Sequence, residues 1–299
     1  MNDIVIPNFL EELLIKQYGT ETKNEIINGY SLNRITSFRV NTLKASDEEV
    51  LNILKNGNIS YLKFDMIPHA YILKDLKAKD LYDNELVSSG KIYFQSLSSM
   101  LPPLFLDAKE NETILDMAAA PGGKTTEIAA LTNNKAQITA CEVNKVRTER
   151  LKYNVSLQGA TSVFIMNQDA KRLDDYFTFD KVLLDAPCSG SGTLDLNNPK
   201  SIKSFSYDLV KNSAKLQEEL LTKAIKVLKP KHEMIYSTCS ILSLENEDVL
   251  NKVLKKTNCQ IIPIHMDNLP LLPSKIEGTI LVRPTEYFEG FFIAKIKKN

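Results

Sequence analysis

ILDMAAAPGGKTTEIA, residues 114–129, runs from an apolar segment through a turn of small residues into a helical pattern. At its centre Gly122-Gly123-Lys124-Thr125 looks like a phosphate loop. Such a loop requires glycine, four residues, then Gly-Lys-Ser/Thr. Counting back from Gly123, the first glycine falls on position 118, which is Ala118. The G-x-G-x-x-G pattern of dinucleotide sites is also missing. What remains is a tight turn, Ala118-Ala119-Ala120-Pro121-Gly122-Gly123, whose small residues let a ligand lie against the backbone.

Outward from this turn the pattern is regular. TILDMA, AQITACEV, SVFIMNQDA, FDKVLLDAP, HEMIYSTCS and GFFIAKIKK read as strands. GGKTTEIAALT, NKVRTERLKYNVSLQG, YDLVKNSAKLQEELLTKAIKVLK and SLENEDVLNKVLKKT read as helices, the third ending at Pro230. GKIYFQSLSSMLPPLFL reads as a bridging helix broken by Pro102 and Pro103. Alternating strands and helices predict an α/β fold with a mostly parallel sheet covered on both faces. Residues 1–85 read as short mixed segments. SFRVNTLK and AYILKD are strands, and SDEEVLNILKNG between them is a helix with Ser46 as N-cap, Glu49 three residues on and Gly57 as its stop. The domain expectation is a small α+β module over 1–88 and a larger α/β domain over 89–299.

A small-residue turn after the first strand of such a sheet suits a class I methyltransferase loop, which holds S-adenosylmethionine. That ligand has no phosphate. It needs an acid at the end of the next strand for the ribose hydroxyls, as in dinucleotide sites, and Glu142 stands there, 26 residues after Asp116. Asp169 follows the third strand and is placed to meet the adenine amine. Asp185 ends a further strand, at the sheet edge where open α/β sheets bind ligands.

Composition narrows the alternatives. The 299 residues carry 37 basic and 37 acidic side chains, so net charge is zero and a nucleic-acid surface has to be local. The N-terminus lacks the pattern of a signal peptide, and no apolar run approaches the ~20 residues of a membrane span. Cys141, Cys188, Cys239 and Cys259 contain no C-x-x-C pair, which argues against zinc and against a disulfide framework. The expectation is a cytoplasmic monomer with reduced cysteines, no metal and no membrane partner. Cys141 and Cys259 read as small core residues. Cys188 and Cys239 differ, because DAPCSGSG and YSTCS place both at strand ends.

Taken together, several motifs resemble the RsmB/NOP (NOL/NOP/sun) family of RNA cytosine-5 methyltransferases. They are RVNTLK (39–44), YFQSLSSMLP (93–102), AAAPGGKT (118–125), CEVNKVR (141–147), DAPCSGSG (185–192), LQEELLTKAIKVLKP (216–230), YSTCS (236–240), ENE (245–247) and EGFFIAKIKK (289–298). The resemblance implies a class I, Rossmann-like methyltransferase with an antiparallel terminal strand and an RNA-recognition-like N-terminal module. It implies Cys239 as nucleophile, Cys188 as the thiol that assists product release, and Asp185 beside the target base. It implies cofactor contacts from residues 118–123, Lys124, Glu142, Arg147, Asp169 and Asp185. Ribosomal RNA is the first substrate expected and transfer RNA the second. A DNA cytosine-5 methyltransferase, which would use the Pro-Cys thiol and would not need Cys239, a non-catalytic RNA-binding or ribosome-assembly factor on this scaffold, and a nucleotide triphosphatase are the rival readings. The chain departs from the family in Pro230-Lys231-His232, where Pro-Gly-Gly is frequent, and in the polar stretch TLDLNNPKSIKSFSYD.

Overall fold

The computed structural model describes residues 6–299. In chain order the first elements are α1 (Asn8–Ser31), β1 (Thr36–Val40), α2 (Asp47–Asn56), β2 (Tyr61–Lys63), β3 (Ala70–Leu73), α3 (Glu85–Ser88), β4 (Ile92–Phe94) and α4 (Leu97–Leu106). Next come β5 (Thr113–Asp116), α5 (Gly123–Leu131), β6 (Gln137–Cys141), α6 (Lys145–Leu157), β7 (Val163–Met166) and β8 (Phe179–Asp185). The last are α7 (Pro199–Lys203), α8 (Tyr207–Val227), β9 (Leu228–Thr238), α9 (Glu247–Leu254), β10 (Cys259–Ile262), β11 (Ile280–Val282) and β12 (Phe291–Lys298). No helix among the described residues is long and apolar enough to cross a membrane. Contacts divide the chain into two compact units.

One unit comprises residues 35–183 and 227–229. It holds a small antiparallel sheet in the order β2-β3-β1-β4. Phe38 of β1 stacks on Tyr71 of β3 at 5.5 Å and meets Phe94 of β4 edge-on. Val50 and Leu54 of α2 complete this core. Ser46 caps α2 by accepting from the backbone N–H of Glu49, and Gly57 ends the helix, as the sequence predicts. The same unit holds parallel strands in the order β8-β5-β6-β7. Consecutive residues Ile114 and Leu115, and Val182 and Leu183, are buried. Both faces of these strands are therefore covered, which is why they read as unbroken apolar runs.

Pro102 and Pro103 do not break α4, which continues to Leu106. Pro103 lacks the N–H that would bond the Ser99 carbonyl. The side chain of Gln95 supplies that donor instead, Nε2 to Ser99 O at 3.1 Å. A bond from outside the helix thus offsets the cost of the proline.

The other unit comprises residues up to Arg34, 184–226 and 230–299. Here β12 runs antiparallel to β9, from Phe292 opposite Thr238 to Lys297 opposite Glu233, and also pairs with β10 and β11. The antiparallel terminal strand is thus present. Helix α8 ends at Val227, three residues before Pro230, and Pro230 lies within β9. Residues 8–31 are not short mixed segments but a 24-residue helix, α1. Gly19, at φ 80° and ψ 172°, breaks its helical geometry, so one apolar period does not run through it.

Candidate active site

In the first unit the parallel strands end in register. Asp116 pairs with Ala140, and Cys141 with Met166. The turn after β5 is stitched to these ends: Ala119 N donates to Cys141 O at 2.9 Å, and Glu142 N donates to Met166 O at 3.1 Å. Gly122, at φ 111°, is the N-cap of α5, a left-handed position that favours glycine. Asp116 is buried and accepts from Thr125 Oγ1 at 2.7 Å, which fixes the strand end to the new helix.

Glu142 is 3% exposed and accepts from the Asn144 N–H at 2.8 Å. Arg147 pairs with it at 3.3 Å and also donates to Ala120 O at 2.6 Å. Asn154 donates to Pro121 O at 2.8 Å. Residues 118–123, Glu142 and Arg147 therefore form one hydrogen-bonded cluster. Lys124 turns toward α4, its Nζ donating to Ser99 Oγ at 2.7 Å. Asp169 caps the 3-10 turn Ala170–Arg172, accepting from Lys171 N at 3.0 Å. Asp116, Asn144 and Asn154 complete the cluster and went unassigned in the sequence. A Thr nine residues after a strand-end Asp, and an Asn two residues after Glu142, were the available signals.

The second unit brings Asp185, Cys188 and Cys239 together. Ser237 Oγ donates to Asp185 Oδ1, and Ala186 N to Ser237 O, both at 2.8 Å. The Cys188 and Cys239 sulfurs lie 2.8 Å apart. Gly192 N donates to Cys239 O at 2.9 Å, tying the loop after Cys188 to the end of β9. A methyl group on Gly192 would stand 2.0 Å from Gly290 O, so this approach needs glycine. The hydrogen bond shared with the Cys239 sulfur, then burial, push the Cys188 thiol well above the usual range, and the charges of Cys239 and Glu245 add to the effect. Cys141, buried in β6, is pushed up to about 12, first by burial and then by Asp116.

Helix α1 braces both thiol loops. Tyr18 Oη and Gln17 Nε2 donate to Ile241 O, the latter at 3.1 Å, and Tyr30 Oη donates to Ser191 O at 2.6 Å. Just past the helix, Arg34 donates to Leu194 O at 3.1 Å and pairs with Glu289 at 3.2 Å. None of these supporting residues was singled out from the sequence, because each acts across at least 160 positions.

The chain is similar to proteins of known family. A family described as 16S rRNA methyltransferase RsmB/F matches residues 103–297. A tRNA (cytosine(49)-C(5))-methyltransferase of Pyrococcus abyssi is 33% identical over 97% of this chain and 96% of its own length. A ribosomal RNA small subunit methyltransferase F of Shewanella amazonensis is 34% identical over 88% of this chain, which spans 58% of that relative. A solved methyltransferase homolog protein from Pyrococcus horikoshii superposes with a TM-score of 0.86 at 31% identity, covering 99% of this chain and 96% of that one.

Proposed function

The chain belongs to the RsmB/F family of methyltransferases, and from that premise we propose that it methylates carbon 5 of a cytosine in RNA, with S-adenosylmethionine as donor. The observation that carries this reading is the pair of thiols 2.8 Å apart, on the Pro-Cys and Thr-Cys loops. Carbon 5 of cytosine is a poor nucleophile. A thiolate adding to carbon 6 makes carbon 5 enamine-like, which splits one hard step into two. Two neighbouring thiols suit such a cycle: one adds to the base, and the other serves its release.

The donor fits the first cluster by its chemistry. Its ribose hydroxyls and adenine amine are hydrogen-bond donors, and Glu142 and Asp169 are acceptors that follow adjacent strands. Arg147 is already engaged by Glu142 and Ala120 O, so it is not spare for a phosphate. Residues 118–123, Lys124, Glu142, Arg147 and Asp169 would hold the donor. When bound, it supplies an electrophilic methyl group on a sulfonium centre.

Cys239 is the attacking thiol and forms a bond to carbon 6 of the base. Cys188 holds its proton beside that adduct, in keeping with its raised pKa. Asp185, oriented by Ser237, lies next to the base. After methylation the carbon 5 proton passes to solvent by way of the Cys188 thiol, the electrons of that C–H bond restore the carbon 5–carbon 6 double bond, and the Cys239–carbon 6 bond breaks with its electron pair returning to Cys239 as thiolate. A paired cytosine must first be unstacked or lie in a single strand. The small sheet β2-β3-β1-β4, within and just beyond the 1–88 module, is assigned to RNA recognition.

Ribosomal RNA is the first substrate class, supported by the family description. Transfer RNA is the second, supported by the end-to-end match to the Pyrococcus abyssi relative. The test uses tritiated donor and total RNA from cells lacking the gene. Cys239→Ala should abolish transfer, and Cys188→Ala should accumulate a covalent protein–RNA adduct whose sequence names the target. Residual transfer by Cys239→Ala would sink the nucleophile assignment.

A further inference from the structure

Cys188 and Cys239 are chemically identical side chains in near-contact, yet the cycle above gives them different tasks. The structure holds a group placed to separate them. Glu245 ends the 3-10 turn Ser243–Glu245 ahead of α9 and is fully buried. Its Oε1 accepts from the backbone N–H of Ser189 at 2.7 Å, and its Oε2 from Ser189 Oγ at 2.5 Å. Oε2 also accepts from Ser240 Oγ at 2.6 Å. Ser189 directly follows Cys188, and Ser240 directly follows Cys239. One carboxylate therefore grips the residue after each thiol. Gln217 of α8 extends the grip, donating to Glu245 Oε1 at 3.4 Å and to Pro187 O at 2.9 Å.

A buried carboxylate is costly, and an apolar residue would fill the same space without that cost. Burial indeed raises the Glu245 pKa, while bonds from Ser189, Ser240 and Gln217 pull it back. A merely structural polar core would leave the donors on any nearby loops. Here they flank the two thiols and no other cysteine.

We propose that Glu245 is a positioning residue for the two-thiol site, clamping the Pro-Cys loop to the Thr-Cys loop and making the two sulfurs unequal. The proposal rests on the reading that both thiols act in the cycle. The clamp sets the distance between the sulfurs through Ser189 and Ser240. Glu245 takes two bonds from Ser189, backbone and hydroxyl, and one from Ser240, so it is tied more closely to the Cys188 loop, where its charge favours the protonated thiol and leaves Cys239 to attack. The other titratable groups facing this cluster are Asp185 at the end of β8, Tyr236 of β9, whose hydroxyl donates to Glu245 O at 2.6 Å, Tyr18 and Tyr30 of α1, which bond Ile241 O and Ser191 O, and the buried Glu247 of α9 beside Tyr236.

The experiment follows iodoacetamide alkylation of each cysteine in the full chain from pH 6 to 10, resolved by mass spectrometry, with thermal melting as the check on folding. In the wild type, Cys239 should alkylate faster than Cys188. Glu245→Gln keeps the shape and removes the charge. It should move the Cys188 profile down by about one pH unit and cut the Cys239-to-Cys188 rate ratio about tenfold. Glu245→Asp should restore the Cys188 profile, because it restores the charge. Ser189→Ala with Ser240→Ala leaves the charge but loosens the clamp, and should lower kcat for methyl transfer with the donor KM unchanged. An unchanged alkylation ratio in a cooperatively melting Glu245→Gln overturns the proposal. If that variant does not melt cooperatively, an unchanged ratio and kcat in the double serine variant overturn it. Alkylation needs no methyl transfer, so the positioning role and the methyltransferase reading can fail separately.

Discussion

The two units hold their functional residues in different ways. In the unit with the small-residue turn, the working atoms are mostly backbone and strand-end carboxylates, held largely by partners nearer in sequence, from two residues for Asn144 N to Glu142 to 33 for Asn154 to Pro121. In the unit with the thiols, the working atoms are side chains on two loops, fixed by partners far away in sequence. Ser189 bonds Glu245 across 56 residues, and Tyr30 bonds Ser191 across 161. A ligand cradle can be local, because a turn and a helix start create it together. A pair of nucleophiles cannot, because two separate loops must be brought into one register.

That contrast can be broken by experiment. The largest effect is expected from Gly192→Ala, whose new methyl group would meet the Gly290 backbone at 2.0 Å. Stability should fall by about 3 kcal/mol or more, read by urea unfolding, and donor affinity should be unaffected in whatever fraction remains folded. A loss of donor affinity equal to the loss of stability would show that the two sites are not independently built.

Next is a pH effect in the turn-bearing unit. Burial pushes Glu127 up to about 7 from 4.5, opposed by Arg39, the Gln95 bond and Lys124. A carboxyl raised in the folded state binds more protons there than in the unfolded chain. Its contribution is therefore full below about pH 4.5 and is lost as pH rises through about 7. Glu127→Gln should remove up to about 3 kcal/mol of that decline, measured as the difference in unfolding free energy between pH 4.5 and pH 8. An identical pH profile in the variant would rule out Glu127 as its source.

Glu142→Gln is expected to weaken donor binding roughly tenfold to a hundredfold by calorimetry, leaving the cysteine alkylation pattern intact. The smallest effect belongs to Ser46→Ala, which removes the cap of α2 and should cost about 1 kcal/mol. Its consequences should stop at the small sheet, and altered alkylation of Cys188 would contradict that.

The same contrast explains what could be read from the sequence. The turn at 118–123, the acids after it and the strand-end thiols were legible, since each is announced by a contiguous run such as AAAPGGK, DAPCSG or YSTCS. The antiparallel last strand was legible as well. Helix α1 was not, because Gly19 interrupts it. Pro102 and Pro103 misled, because the local rule against proline in a helix knows nothing of a Gln95 amide waiting to serve the Ser99 carbonyl. Glu245 fell within ENE, a motif whose partners lie on other loops, and spacing alone does not reveal a clamp.

Arg39 of β1, in the RVNTLK stretch, reaches the start of α5. It donates to Gly123 O at 3.2 Å, to Thr126 Oγ1 at 2.7 Å and to Gln95 Oε1 at 3.0 Å. Gln95 in turn donates to Glu127 at 2.7 Å and to the proline-bearing helix. The amide of Gln95 thus has one permitted orientation, oxygen toward arginine and nitrogen toward glutamate. For anyone grafting parts between relatives, the small sheet is not an interchangeable cassette. A transplant replacing residues 36–95 would have to bring its own arginine and amide in the same order, or the helix beginning at Gly123 would lose its anchor along with the sheet.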